Sequence, residues 1–210
     1  MAWAYCHQPN DIEVITNWDS KLSYNADNEK APTKLLYSGK HSEVTWGYDI
    51  AAEHEPLKWF KLLLIDEEDL SPQLRDSAQL SDARRLIEGA DRDPVEVISC
   101  YLRHLWNHAI TTITREIGTG LIELSRFRVV ITLPAIWPHY AQSRMKKAAE
   151  GAGILDIRPC GKTTLTFISE PEAAALATMR DLGRKTDLKV GDHFVVCDAG
   201  GGTVVGGSDP

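Results

Sequence analysis

An α/β fold with a mixed central sheet is predicted by three observations. From Arg128 the pattern runs strand, helix, strand, helix, strand: Arg128 to Leu133, Tyr140 to Ala152, Leu165 to Ser169, Glu172 to Leu182 and His193 to Cys197. Such alternation is what α/β sheets require. The run Val129-Val130-Ile131-Thr132-Leu133 is almost continuously apolar, as expected of a central strand covered on both faces. Short β-like runs then occupy the first 48 residues, at Ala2 to Tyr5, Ile12 to Trp18, Thr33 to Ser38 and Glu43 to Trp46. Polar and turn-forming residues separate them, which reads as a meander.

Between these regions the signals are helical. Glu55-Pro56 places a proline where a first turn tolerates it, and Leu57, Phe60, Leu63 and Leu64 follow at helical spacing. Asp66-Glu67-Glu68-Asp69 precedes Leu70-Ser71-Pro72 and reads as a solvated acidic turn. From Asp93-Pro94 a long amphipathic helix runs through Val95, Ile98, Leu102, Leu105, Ala109, Ile113 and Ile117, with Gly118 as its stop. The polar stretch Leu182 to Asp192 reads as a connection into a second sheet or lobe.

Bulk properties narrow the function. The 210 residues are 43% hydrophobic and 25% charged, the composition of an ordinary globular chain. A formal charge of -7 without a long Lys/Arg block excludes nucleic acid and an anionic membrane surface as main partners. No stretch approaches the roughly 20 apolar residues of a membrane span, and residues 1–10 lack a signal pattern, so the expected location is cytoplasmic. Cys6, Cys100, Cys160 and Cys197 are scattered, with no CxxC pair. Reduced, packing thiols are expected.

The motif with the most chemistry is His193-Phe194-Val195-Val196-Cys197-Asp198-Ala199-Gly200-Gly201-Gly202-Thr203. An apolar strand ends on an aspartate and turns through three glycines, which can aim backbone N–H groups at a phosphate. Thr203 adds a hydroxyl donor. Asp198, at a strand's carboxyl end, suits a hydrated magnesium ion. A plain glycine hairpin between strands is the bland alternative.

Two decoys fail on spacing. Gly161-Lys162-Thr163-Thr164 mimics the end of a Walker A loop, but Asp156 stands where the first glycine belongs, and a strand follows. His104 and His108 have the spacing of a zinc helix, but Leu105 replaces the required glutamate and no third ligand is evident.

Leu133-Pro134-Ala135-Ile136-Trp137, then Ile168-Ser169-Glu170-Pro171-Glu172-Ala173-Ala174-Ala175, then Asp198 to Thr203, resemble three blocks of the seventy-kilodalton heat-shock family of actin-like ATPases, in the same order. The wording is closest to divergent heat-shock-like ATPases of fungi and animals. The resemblance is good over residues 128–204 and looser upstream. It implies an actin-like ATPase (ribonuclease H-like) lobe with a mixed central sheet, truncated at both ends. Residues 1–48 would be the strand meander of the first lobe without its first strand, and 49–92 the small upper subdomain. Residues 93–188 would complete the first lobe, and 189–210 open the second with a strand and phosphate loop.

The same resemblance implies ATP or ADP with magnesium as cofactors, and client or regulatory proteins as partners. Glu170 falls on the glutamate near the attacking water and the metal. Asp198 falls on the metal-side aspartate, and Gly200, Gly201, Gly202 and Thr203 on the nucleotide-binding loop. Lys61 is the candidate for the phosphate-contacting lysine, with Lys58 its rival; both also suit the wet face of an amphipathic helix. Pro134 falls on the proline that relays nucleotide state, but Gln142 stands where the relay arginine belongs, with Arg144 nearby.

Other family parts are lacking. No aspartate followed by Gly-Thr-Thr occurs in the sequence, Val205 stands where a second aspartate is expected, and the adenosine-binding lobe is absent. A sheet without its first strand exposes an edge open to another chain. The expected function is therefore a nucleotide-binding, heat-shock-like ATPase domain fragment, catalytically incompetent alone. A non-catalytic interaction module that retains the fold, and a sugar- or acid-kinase relative, are the alternatives. Phosphoryl transfer depends on positioning and electrostatics, so magnesium-ATP turnover by this chain should stay at background; turnover that vanished in Asp198→Ala and Glu170→Ala proteins would overturn this.

Overall fold

The computed structural model describes residues 1–18, 20, 28–38, 44–182, 193–199 and 204–209. It opens with β1 (Ala2–Tyr5) and β2 (Gln8–Val14), an antiparallel pair in which Ala2 faces Val14 and Tyr5 faces Gln8. The second strand thus starts four residues before the expected Ile12 and stops at Val14. Of residues 8–11, which read as turn formers, only Gln8 has a partner in the register, and the ladder shifts between Trp3 and Tyr5 so that Glu13 and Val14 pair again. Beyond Val14 the Ile15 N–H donates one more hydrogen bond, to Met1 O at 2.8 Å, and Ile15 and Trp18 are buried with Ala109 in one cluster. Strands β3 (Leu35–Tyr37) and β4 (Val44–Trp46) form a second antiparallel pair.

The α-helix expected from Pro56 does not form. Leu57 instead exchanges two backbone hydrogen bonds with Leu35, at 2.7 and 3.1 Å. Trp59 then takes a left-handed turn at φ 61, and only a 3-10 helix follows, Phe60–Leu64. The apolar spacing reflects burial of Phe60 and Leu64 rather than α-helical winding. The acidic turn at Glu67–Asp69 is exposed but does more than meet solvent. Asp66 pairs with Arg144 at 2.8 Å, Glu67 with Arg84 at 2.8 Å, and Asp69 accepts a 2.5 Å hydrogen bond from the Tyr140 hydroxyl.

Helix α1 (Pro72–Arg75) and α2 (Ala78–Gly89) come next, capped by the hydroxyls of Ser71 and Ser77. The sequence reading places no helix there, although Ser77 followed by buried Leu80, Ala83 and Ile87 carries the signal. Helix α3 (Pro94–Ile117) has the expected limits. Asp93 and Glu96 form a reciprocal capping box at its start, and Gly118 ends it at φ 84, a conformation that suits glycine.

After α4 (Thr119–Glu123) and β5 (Arg128–Leu133) come α5 (His139–Gly151) and a small hairpin of β6 (Ile157–Arg158) and β7 (Gly161–Lys162). Then follow β8 (Thr164–Ser169), α6 (Glu170–Leu182), β9 (Phe194–Ala199) and β10 (Val204–Asp209). Strands β5 and β8 are parallel, with Leu133 opposite Ser169, and β9 and β10 are antiparallel, with Ala199 opposite Val204. The expected connection over residues 183–192 lies outside the described residues.

The result is mixed α/β, with one parallel and four antiparallel pairs among the described residues. Two expectations are corrected. The described strands pair two by two instead of joining in one central sheet, and a cavity separates β1 from β5. Strand β5 is covered on one face only: Val129 and Ile131 pack inward, while Val130 is 58% exposed. Its apolar run therefore alternates between packed and exposed side chains, as in a half-buried strand.

The main core links distant parts of the chain: Leu35, Leu57, Phe60, Leu64, Ile98, Trp137 and Met145 belong to one buried cluster. Helix α3 is its spine, contacting α5 on one side and the 3-10 turn on another. The two histidines that mimicked a zinc helix stack on tryptophans instead, His104 on Trp46 at 5.4 Å and His108 on Trp18 at 4.7 Å between centroids. All four cysteines are free thiols. Cys100 and Cys160 are half-buried, as packing predicts, whereas Cys6 and Cys197 are exposed.

Burial, aided by the neighbouring Arg103 charge, holds the His104 imidazole below its ordinary value. The folded state therefore prefers neutral His104. Its contribution to stability is intact above the unfolded value of about 6.5 and is lost as pH falls through the lowered folded value. Denaturant unfolding should show stability falling with acid below about pH 6.5, and His104→Gln should flatten that slope. An unchanged slope would contradict the assignment.

Candidate functional site

Two backbone devices bring the site together. The first is the parallel register of β5 and β8, which sets Leu133 opposite Ser169, so that Pro134 and Glu170 leave neighbouring strands at the same end. Carboxyl ends of parallel strands are where α/β sheets bind ligands. Pro134 turns the chain by accepting a hydrogen bond from the Trp137 N–H at 3.1 Å, and the turn buries Trp137 to 5% exposure. On the other strand, Ser169 Oγ accepts from the Glu172 N–H at 3.2 Å, so Glu170 opens α6 from a supported position.

The second device is the 3-10 turn. Phe60 and Leu64 are 1% and 0% exposed, and their burial fixes the direction of Lys61 between them. Its ammonium meets Glu170 Oε1 at 2.5 Å, across 109 residues of sequence. It also lies 5.4 Å from the centre of the Trp137 ring, within cation–π range. Lys61 is 38% and Glu170 22% exposed, so the pair is reachable by solutes. Lys58 is exposed and has no part in this cluster. The reading of Lys61 as a wet-face lysine gives way to that of a lysine held over the strand ends.

Chemically this is a cation and a carboxylate at a half-buried strand end, each neutralising the other. A phosphate oxygen entering here would compete with Glu170 for Lys61, and release of the carboxylate would leave it to accept a hydrogen bond from water. The oxygen chemistry of Glu170 and Asp198 suits magnesium, a hard cation that keeps part of its water shell. Among the described residues no three His, Cys, Asp or Glu side chains cluster as a metal cage.

Asp198 lies one residue before the end of β9. Gly200, Gly201, Gly202 and Thr203 lie outside the described residues. Strand β10 continues through Gly206 and Gly207 to Asp209, where the sequence alone offers little strand propensity. Among the relay candidates, Gln142 is half-buried on α5. Arg144 is committed elsewhere: it donates to Leu64 O and Asp66, both at 2.8 Å, and lies 4.7 Å above the Tyr140 ring. The Walker-like Gly161 to Thr164 runs through β7 into β8, without the helix a phosphate loop needs. A further cavity of about 770 Å³, lined by Arg103, Trp106, Asp156 and Arg158, includes neither Lys61 nor Glu170.

Trp137 is the site residue that the sequence reading quoted but assigned no role. An aromatic residue three positions after the strand-end proline is the only signal it offers.

This arrangement of strand ends, lysine and glutamate accompanies sequence similarity to divergent heat-shock proteins of the seventy-kilodalton class. Heat shock 70 kDa protein 12A from Mus musculus is 24% identical over 178 residues, which is 83% of this chain and 26% of that protein. Its Homo sapiens counterpart matches with the same identity and coverage. Heat shock 70 kDa protein 12B from Homo sapiens is 25% identical over 178 residues, 83% of this chain and 25% of that protein. The chain spans about a quarter of the length of these relatives. Similarity of that extent reaches well upstream of Arg128, where the motif resemblance is looser. No family model matches the chain.

Exposed ion pairs contribute about 0.2–1 kcal/mol, and Lys61–Glu170 is partly exposed. A double-mutant cycle with Lys61→Ala and Glu170→Gln should give a coupling energy of about 1 kcal/mol or less by denaturant unfolding. Zero coupling would mean the two side chains do not meet in solution.

Proposed function

We propose that this chain is part of a heat-shock-like, actin-like ATPase domain and that its strand-end site binds the phosphates of ATP or ADP with magnesium. The observation that carries the proposal is the Lys61–Glu170 pair, because it brings together two residues, 109 apart in sequence, to which the family resemblance gives site roles. Sequence similarity to the 12A and 12B heat-shock proteins supports it.

In this reading residues 1–48, 49–92 and 93–188 make up the first lobe, with 49–92 as its small upper subdomain, and 189–210 open the second. Lys61 contacts a terminal phosphate as a point charge. Glu170, displaced from Lys61, orients a water molecule. The backbone N–H groups of Gly200, Gly201 and Gly202, with the Thr203 hydroxyl, cradle phosphate oxygens. Asp198 holds hydrated magnesium, which neutralises phosphate charge when bound. Trp137 steadies Lys61 from beneath.

Binding is weak and hydrolysis is negligible for these 210 residues by themselves, since one glycine turn and one lysine are half of a phosphate clamp. Clients or regulatory proteins are the expected partners of the whole protein, and the free cysteines fit the reducing conditions of the cytoplasm. Among the described residues no helix is long and apolar enough to cross a membrane.

Thermal unfolding with magnesium-ADP tests the reading. With a Kd of about 1 mM, nucleotide at about 5 mM adds about 1 kcal/mol, or about 2–4 °C for a chain of this size. Lys61→Ala and Asp198→Ala should each lower that shift. No shift at this concentration, or a shift equal in all three proteins, would overturn the proposal.

A further inference from the structure

The cavity of about 770 Å³ that lies apart from Lys61 and Glu170 has the size of a small-molecule pocket. Its floor is one face of α3. Arg103, Trp106, Asn107, Ile110 and Thr111 recur there by three and four residues, over about 12 Å of helix. The last turn of α5 and the residues around β6 form the walls.

Four charges line this groove, Arg103 and Arg158 against Glu150 and Asp156, so its formal charge is zero. Among the described residues these four form no ion pair with one another. Backbone carbonyls hold the arginines instead. Arg103 donates to Gly151 O at the end of α5, and Arg158 donates to Ile122 O in α4, both at 2.6 Å. The Arg158 guanidinium also lies 4.4 Å from the centre of the Phe127 ring, which meets Trp106 edge-on at 5.4 Å.

These anchors give the groove a direction. Glu150 adjoins Gly151, and a Cβ on Gly153 would stand 3.0 Å from Asp156 Oδ2, so both acids gather with Arg103 at the α5 end. Arg158 is drawn toward the other end, because α4 follows the last turn of α3. One end thus carries two carboxylates and a guanidinium, and the other a guanidinium alone, with Trp106 and Ile110 between. A lone anion meets the acids, and a lone cation meets the arginines. A ligand that carries one charge of each sign, set apart, satisfies both ends. The two charges of a free α-amino acid are too close together for this. Three residues of extended chain span about 10 Å, close to the length of the floor.

We propose that this groove binds a zwitterionic peptide of about three residues, its terminal ammonium at Glu150 and Asp156 and its terminal carboxylate at Arg158. Small apolar side chains of the peptide rest on Trp106 and Ile110. The recognition is capture of chain termini by charge, and it is independent of nucleotide binding.

Trialanine is the probe, beside N-acetyl-trialanine and trialanine amide, which each lack one terminal charge. Binding to the 210-residue chain is read from the Trp106 indole N–H resonance, identified by its loss in Trp106→Phe. Trialanine at millimolar concentration should move that resonance saturably, and each blocked peptide should bind about tenfold more weakly. Glu150 and Asp156 are exposed, so a Glu150→Gln/Asp156→Asn protein keeps the fold. In it the advantage of trialanine over the N-acetyl peptide should vanish, and its advantage over the amide should persist. Three results contradict the proposal: no saturable shift with trialanine, blocked peptides that bind as well as trialanine, and a preference for the free amine that survives in the double variant.

Discussion

The parallel register of β5 with β8 is the constraint on which the rest of the site depends. Pairing Leu133 with Ser169 makes Pro134 and Glu170 neighbours, although 35 residues, a helix among them, intervene in the chain. A slip of one residue would turn every inward side chain of β8 outward. Trp137 and Glu170 would then no longer share the space above the strand ends. Burial fixes the register from beneath: Val129, Ile131 and Leu165 pack against Ala149, Ala152 and Ile154. Helix α5 is in turn held to α3 and to the acidic turn, through Arg144 and Tyr140.

The ion pair at the site is consequently not a local event. Lys61 is placed by Phe60 and Leu64, whose burial requires Tyr101 and Met145 in the same cluster. Truncating so large a buried side chain as Phe60 costs about 3–5 kcal/mol, several times the worth of the pair itself. The core holds the charges together, and the charges add little to the core. A weak internal bond of this kind opposes the entry of a competing anion less than a strong one would.

Much of this was legible in the sequence. Asp93, Pro94 and Gly118 carry the limits of α3 in their own chemistry, and Arg128 to Leu133 announces a strand through a run of branched residues. The strand-end proline and glutamate of the first two motif blocks, Pro134 and Glu170, pointed to where β5 and β8 end together. Legibility failed where long-range contacts overrode local pattern. Leu57 has the right spacing for a helix, but Leu35 takes both its backbone hydrogen bonds. Val130 lies in an apolar run, but its exposure depends on what flanks β5. The choice between Lys61 and Lys58 turned on which way a 3-10 turn faces, and no periodicity encodes that. His104 and His108 looked like ligands because the stacking partners, Trp46 and Trp18, are more than 50 residues away in sequence.

Glu170 occupies two environments at once. It holds the Lys61 ammonium and borders the cavity between β1 and β5. Any group that meets this carboxylate from the cavity side and an anion that competes for Lys61 act on one shared side chain. Thermodynamic linkage then fixes their relation without any movement of the fold. Whatever factor the first applies to the affinity of the second, the second applies to the first. The sign follows from charge: a group that draws Glu170 away unmasks the lysine and favours the anion, and one that pins the pair together opposes it.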